Sequence, residues 1–283
     1  MSQEGQTGRS AAHRYRVATV PYAGSLPLVE GLDDHREVEL LSGAPSHLGE
    51  MLVNNQADVA QLPCIELQRL GTPVQVVPAG GISSIGPTLT VRVFSNVPAE
   101  ELELLWADAS ACSSVALARM LWAENYRRRL TVIPFEPIRQ KPAEDAQGIL
   151  LIGDKVVASP PLGYEWQFDL GAMWFELTGL PFVFTVWAAR LDTDCDRIYQ
   201  ILLAARRLGQ QRLERIAREY APVHGWPDDL AIRHLTKSTR FEFDDAQREG
   251  MEEFFERAED FGIIEKSQPV RFYRPQGESE AGQ

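Results

Sequence analysis

Residues Leu180–Ala189 read LPFVFTVWAA. The run is rich in β-branched and aromatic side chains, and it is too short and too continuous for an amphipathic helix. It predicts a strand buried on both faces. Beyond it the character changes to helices, expected at Asp196–Leu208, Gln210–Tyr220, Asp228–Lys237 and Asp245–Phe261. The last has Asp244 as its N-cap and Gly262 as its C-cap residue.

Upstream, strands and helices alternate. Tyr15–Pro21 (YRVATVP) is a β-rich run that ends at the turn signal YAGSLP, and Val38–Leu41 is a second strand. PSHLGEMLVNNQAD starts a helix at Pro45 and Ser46, with Leu48, Met51 and Leu52 on one face. Val59–Leu62 and Val74–Pro78 follow as strands, then the long β-prone run ISSIGPTLTVRVFSN. Leu104–Ala107, the turn DASACSS, the helix SSVALARMLWAENYRR and strands at 131–135 and 149–152 complete this half. Such alternation predicts an α/β fold with right-handed crossovers.

Two α/β segments and a helical tail fit a chain that passes twice between lobes, with crossings near Val91–Val97 and Thr185–Arg190. One lobe would then comprise 15–93 and 190–275 and the other 94–189, and a cleft between lobes is a common ligand site. Residues 1–14 and 276–283 are expected to be disordered tails.

The 283 residues carry a formal charge of −12, from 28 basic and 40 acidic side chains. An acidic surface repels phosphate backbones and anionic lipid, so neither nucleic acid nor membrane is an expected partner. A small anion stays admissible, because donors in a cleft outweigh a screened distant field. Cys64, Cys112 and Cys195 lie far apart, which is neither a disulfide framework nor a zinc site. The polar start MSQEGQTGRSAAHR lacks the apolar core of a secretory signal, and no apolar run is long enough to span a bilayer. These features place the chain in the cytoplasm as an expectation.

Nucleotide fingerprints (GxGxxG, GxxxxGK[ST]) and HExxH are absent, the five histidines show no ligand spacing, and GISSIG is not a nucleophile elbow. What remains is a set of small hydroxylated residues at strand ends and helix starts. They fall in Tyr22–Leu28, in Pro45-Ser46, in Ser83–Thr90 and in Asp108–Ser114. Each serine can equally be a plain helix cap. Two helix starts, one per lobe, could grip the ends of a dianion through free N–H groups and the dipole. Arg92, Lys155 and Arg190 are read as solvent-facing charges, and the aromatics of LPFVFTVW as core.

The order of these segments resembles the chorismate dehydratases of the futalosine route to menaquinone, from about Arg16 to Pro275. The family's first loop, Y/F-L-N-x-x-P-L, corresponds to Tyr22–Leu28 (YAGSLPL), and its Gly-Pro-Val-x-Ser element to Gly86–Thr90 (GPTLT). Its Ser-Ser-Arg-Thr-Ser helix start corresponds to Ser110–Ser114 (SACSS). The most specific matches are LLIGD (Leu150–Asp154) and DLGAMWFELTGLPFVFTVWAAR (Asp169–Arg190). Where the family has an asparagine, a serine and an arginine, this sequence has Gly24, Thr90 and Cys112.

The resemblance implies a two-lobed fold like the type II periplasmic solute-binding proteins, with the ligand cleft between the lobes. It implies dehydration of chorismate to 3-[(1-carboxyvinyl)oxy]benzoate, with no cofactor and no metal. It puts Thr90 and Gly24 at the reacting centre, and Tyr22, Ser25, Ser46, Ser84, Ser113, Ser114 and Asp154 around a small anionic, chorismate-like substrate. The alternative is a binder of some other small aromatic or enolpyruvyl acid on the same fold. The sister enzyme, dihydroxynaphthoate synthase, is expected to carry a histidine after the LLI strand, where this sequence has Gly153-Asp154.

Overall fold

A computed structural model describes residues 14–137, 139–140, 142 and 146–275. Among these described residues ten strands form two five-stranded sheets. The first sheet contains β1 (Tyr15–Thr19), β2 (Val38–Ser42), β3 (Val59–Pro63) and β4 (Val74–Ser84). The second contains β5 (Val91–Ser95), β6 (Leu104–Asp108), β7 (Thr131–Phe135), β8 (Gly148–Ile152) and β9 (Trp166–Asp169). The strand quoted at the outset is β10 (Phe182–Arg190) and returns to the first sheet.

The sheets share one plan. The first runs β2-β1-β3-β10-β4 and the second β7-β6-β8-β5-β9. In each, three parallel strands are followed by one antiparallel to its neighbours, β10 in the first and β5 in the second. The chain therefore passes twice between two α/β lobes, and each passage leads into the antiparallel strand of the sheet it enters. Phe182 and Trp187 are fully buried, as expected of a covered strand.

The crossings fall earlier than the sequence pattern places them. All of β5 lies in the second sheet and all of β10 in the first, so the chain passes between sheets within 85–90 and again within 170–181. The β-prone run from Ile82 to Asn96 is broken by Gly86 and Leu89, both in the left-handed region with φ +79° and +68°. The return passage is helical. Asp169 caps it by accepting the N–H groups of Gly171 and Ala172, and Gly179 (φ +72°) ends it. Trp174, Phe182 and Phe254 meet edge-on over this passage at 4.9–6.1 Å between ring centroids.

Helices cover both sheets. They are α1 (Leu26–Val29), α2 (Pro45–Val53), α3 (Cys112–Tyr126), α4 (Lys155–Ala158) and α5 (Leu170–Thr178). The tail supplies α6 (Asp196–Gln210), α7 (Leu213–His224), α8 (Asp228–Arg233) and α9 (Asp245–Asp260). The expected helix Asp228–Lys237 divides, because α8 passes into a π turn over His234–Ser238. Asp244 caps α9 in a capping box with Gln247, and Gly262 follows it at φ +64°.

The core follows this layering. One apolar cluster joins α3, α5 and α9 to β10, and a second joins α6 and α7 to β1 and β4. Among the described residues no helix is long and apolar enough to cross a membrane. The expected tails lie outside the described residues except Arg14, whose guanidinium donates to the Val38 carbonyl at 2.6 Å.

Candidate ligand site between the lobes

In open α/β sheets, ligands sit beyond the carboxyl ends of parallel strands. Both sheets turn such ends toward one cavity of about 110 Å³. A cavity of about 150 Å³ holds one benzene ring, so this space is of the order of a single six-membered ring. The loop after β1 contributes Tyr22, Gly24 and Ser25, and the end of β4 contributes Ile82, Ser83 and Ser84. From the second lobe come the start of α3 and the Ile152–Asp154 turn after β8. Thr88 and Thr90 enter from the first crossing, and Phe184 and Thr185 from β10.

The walls carry unsatisfied polar atoms. The hydroxyls of Ser25, Ser83 and Ser84, Nδ1 of His234 and Oδ1 of Asp154 are buried without a hydrogen-bond partner. Buried polar atoms are almost always paired, so a cluster of orphans around one space makes it the candidate site for a polar ligand. At the head of the 15-residue α3, Ala111 offers no side-chain cap. The first-turn N–H groups of α3 therefore remain available beside the cavity.

The expected site residues divide by their partners. Tyr22, Gly24, Ser25, Ser84, Thr90, Ser113, Ser114 and Asp154 all line the cavity, whereas Ser46 does not and its neighbour Pro45 does. The Ser113 hydroxyl is already engaged. It accepts the Ile65 N–H at 3.3 Å and donates to the Phe184 carbonyl at 3.3 Å, tying the α3 start to the first lobe. What Ser113 offers the cavity is its main chain. Gly24 has Ile82 and His234 as the nearest neighbours of any added Cβ, at 3.6 and 3.8 Å.

Asp154 and Tyr220 of α7 bridge the lobes, the tyrosine hydroxyl donating to Oδ2 at 2.5 Å. Burial pushes the Asp154 carboxyl above its ordinary range, and the bond from Tyr220 opposes that rise. Tyr220 stacks on His224 with ring centroids 3.6 Å apart. A second bridge corrects the reading of Lys155 as a solvent-facing charge. Its ammonium pairs with Asp108, whose side chain is 2% exposed, and donates to the Tyr22 hydroxyl at 3.4 Å. Burial works against this charge, yet Asp108 holds the ammonium above its ordinary range.

Arg92 and Arg190 are also paired rather than free. Arg92 lies 3.8 Å from Asp169, and Arg190 donates to the Leu52 carbonyl at 3.0 Å. No arginine or lysine is among the described residues that line the cavity. Burial pushes the Cys64 and Cys112 thiols up to about 12 and about 11, which keeps them protonated and unreactive.

Sequence reasoning missed His234 and Thr185 in these walls, and it reached Ser83 and Thr88 only as members of the Ser83–Thr90 segment. Lys155 carried a usable signal, since it follows Asp154 directly in LLIGDK. His234 carried none, being distant in sequence from every other wall except Ser238 and Thr239 and set in a π turn.

Known proteins extend the picture. Residues 15–260 match the family model described as menaquinone biosynthesis. The chorismate dehydratase of Thermus thermophilus is 24% identical over 239 residues, which is 77% of this chain and 85% of that protein. An Archaeoglobus fulgidus protein superposes with a TM-score of 0.70 at 17% identity, over 90% of this chain and 100% of its own. The periplasmic aliphatic sulphonate binding protein of Escherichia coli superposes with a TM-score of 0.63 at 15% identity, over 96% and 97%. At such identities the likeness shows the fold, and that fold is the two-lobed periplasmic-binding-protein type.

Proposed function

The chain belongs to the menaquinone biosynthesis family, and from that premise we propose that it dehydrates chorismate to 3-[(1-carboxyvinyl)oxy]benzoate, in the futalosine route and in the cytoplasm. The observation that carries this reading is the ring-sized space whose buried hydroxyls and imidazole Nδ1 lack partners. The named relative from Thermus thermophilus supports the choice of substrate.

The reaction balances as chorismate giving product and water. A ring C–H bond breaks, the hydroxyl leaves with its electron pair, and the ring becomes aromatic. Aromatisation supplies the driving force, so the protein must orient the substrate and stabilise departing charge. In this reading the N–H groups at the start of α3 receive a carboxylate, helped by the positive end of the helix dipole. Ser25 and Ser84 donate to the substrate from the first lobe. Thr90 keeps a hydroxyl on the crossing, where it donates to the departing oxygen. Gly24 leaves the ring room against Ile82 and His234.

We further divide the chain into a first lobe of residues 15–84 and 182–275 and a second of 91–169, joined by 85–90 and 170–181. The Tyr220–Asp154 and Lys155–Tyr22 contacts then close one lobe on the other.

One observation favours a second reading, a binder of some other small acid. Chorismate carries two carboxylates, and no lysine or arginine lines the cavity among the described residues. Thermal stabilisation by a panel of small aromatic and enolpyruvyl acids, with mass analysis of each mixture, separates the two. Stabilisation by chorismate with a product lighter by one water supports dehydration. Stabilisation by a different acid, with chorismate left intact, overturns it.

A further inference from the structure

His234 lies outside every motif of the resemblance, yet the residue is 6% exposed and forms part of the cavity wall. It opens a π turn, an irregularity that costs regular helix bonding and is frequent at functional sites. The ring packs against Trp226 at 5.3 Å between centroids and faces Gly24, where an added Cβ would come within 3.8 Å of Nε2. A larger residue at 24 would screen the imidazole, and the glycine leaves it open.

Nδ1 of the ring is buried without a hydrogen-bond partner. Burial lowers the basicity of the imidazole to about 4, so it is neutral near pH 7. A neutral ring carries one N–H and one lone pair. A lone pair attracts a hydroxyl hydrogen and repels a carboxylate.

We propose that His234 is a specificity residue that accepts a hydrogen bond from a hydroxyl group of the ligand. The assignment rests on the dehydratase reading, in which the hydroxyl is the group that leaves. His234 therefore holds the substrate, up to loss of the hydroxyl, and releases the product, which has no such group.

The test uses the full chain with His234→Phe, which keeps a flat ring without nitrogens, and His234→Gln, which keeps an acceptor without the ring. The expected result for H234F is a KM for chorismate raised tenfold or more, kcat within about threefold, and unchanged Kd for the dehydrated product. H234Q should hold KM within about threefold of the parent. An unchanged KM in H234F overturns the assignment. So does equal weakening for chorismate and product, which marks the ring as packing only. Should one variant fail to fold, the other decides alone, since packing and acceptor roles rank them in opposite order. Absence of chorismate turnover and binding in the parent protein overturns the dehydratase reading instead. The variants then decide the assignment on the preference for 3-hydroxybenzoate over benzoate. Its loss in H234F upholds the assignment and its retention overturns it.

Discussion

Replacing Asp169 by alanine is expected to lower folding stability by about 3–5 kcal/mol, because one carboxylate holds both passages between the lobes. It accepts the N–H groups of Gly171 and Ala172 at 3.1 and 3.2 Å, which start α5 on the return passage. It also accepts the N–H groups of Thr88 and Leu89 at 3.0 Å and the Thr88 hydroxyl at 3.1 Å, which shape the first crossing. Loss of an aspartate cap costs about 0.5–2 kcal/mol. A hydrogen bond to a charged group contributes about 1.5–3 kcal/mol, and bonds sharing one acceptor do not simply add. Leu89 sharpens the case, since a non-glycine residue held at φ +68° stores about 1–3 kcal/mol that its neighbours must hold in place. Asparagine, which keeps one acceptor oxygen, should cost roughly half as much. Thermal melts of the parent, D169N and D169A are the assay. For a chain of this size each kcal/mol moves Tm by about 2–4 °C, so D169A should melt roughly 10 °C lower. Because Thr88 and Thr90 stand on the same crossing, D169N should also weaken ligand binding beyond its effect on stability. A D169A protein within about 1 kcal/mol of the parent would refute the reasoning.

Three further outcomes follow from particular contacts. Lys155→Met strands the buried Asp108 carboxylate and should cost about 3–5 kcal/mol, part of which K155M/D108N recovers in a urea-denaturation cycle. His234 makes stability depend on pH. The folded ring protonates at about 4 and an unfolded one at about 6.5, so the unfolded chain binds more protons between them. Its share of stability is intact above about pH 6.5 and falls by about 3 kcal/mol as pH drops to about 4, a slope that H234Q should remove. Gly250→Ala drives a methyl group to 2.1 Å from the Pro181 carbonyl, where α9 meets the return passage. Overpacking of at least about 1–3 kcal/mol should appear in its melt.

The fold was legible where one physical signal ruled a segment. Strand runs such as Val59–Leu62 and capped helices such as Asp245–Asp260 lie where hydrophobic period and cap chemistry put them. The crossings were not legible to the residue. A β-prone run does not say which sheet its ends join, and the break at Gly86 and Leu89 depends on Asp169, some 80 positions away. The cavity shows the same limit. Small hydroxylated residues beside helix starts pointed to Ser25, Ser84 and Ser114, which do line it. The same signal could not tell that the Ser113 hydroxyl bonds Ile65 and Phe184 instead. Lys155 read as a surface charge because its partner Asp108 lies on β6, remote in sequence, and His234 escaped notice because only tertiary folding brings it to Gly24.

The most direct test of the central claim is a single-turnover reaction with protein in excess over chorismate, followed by loss of cyclohexadiene absorbance and by product mass. The account predicts complete conversion to a species lighter by one water, with a rate reduced in a Thr90→Val variant of unchanged Tm. Chorismate that stays intact under those conditions, with properly folded protein, would contradict it.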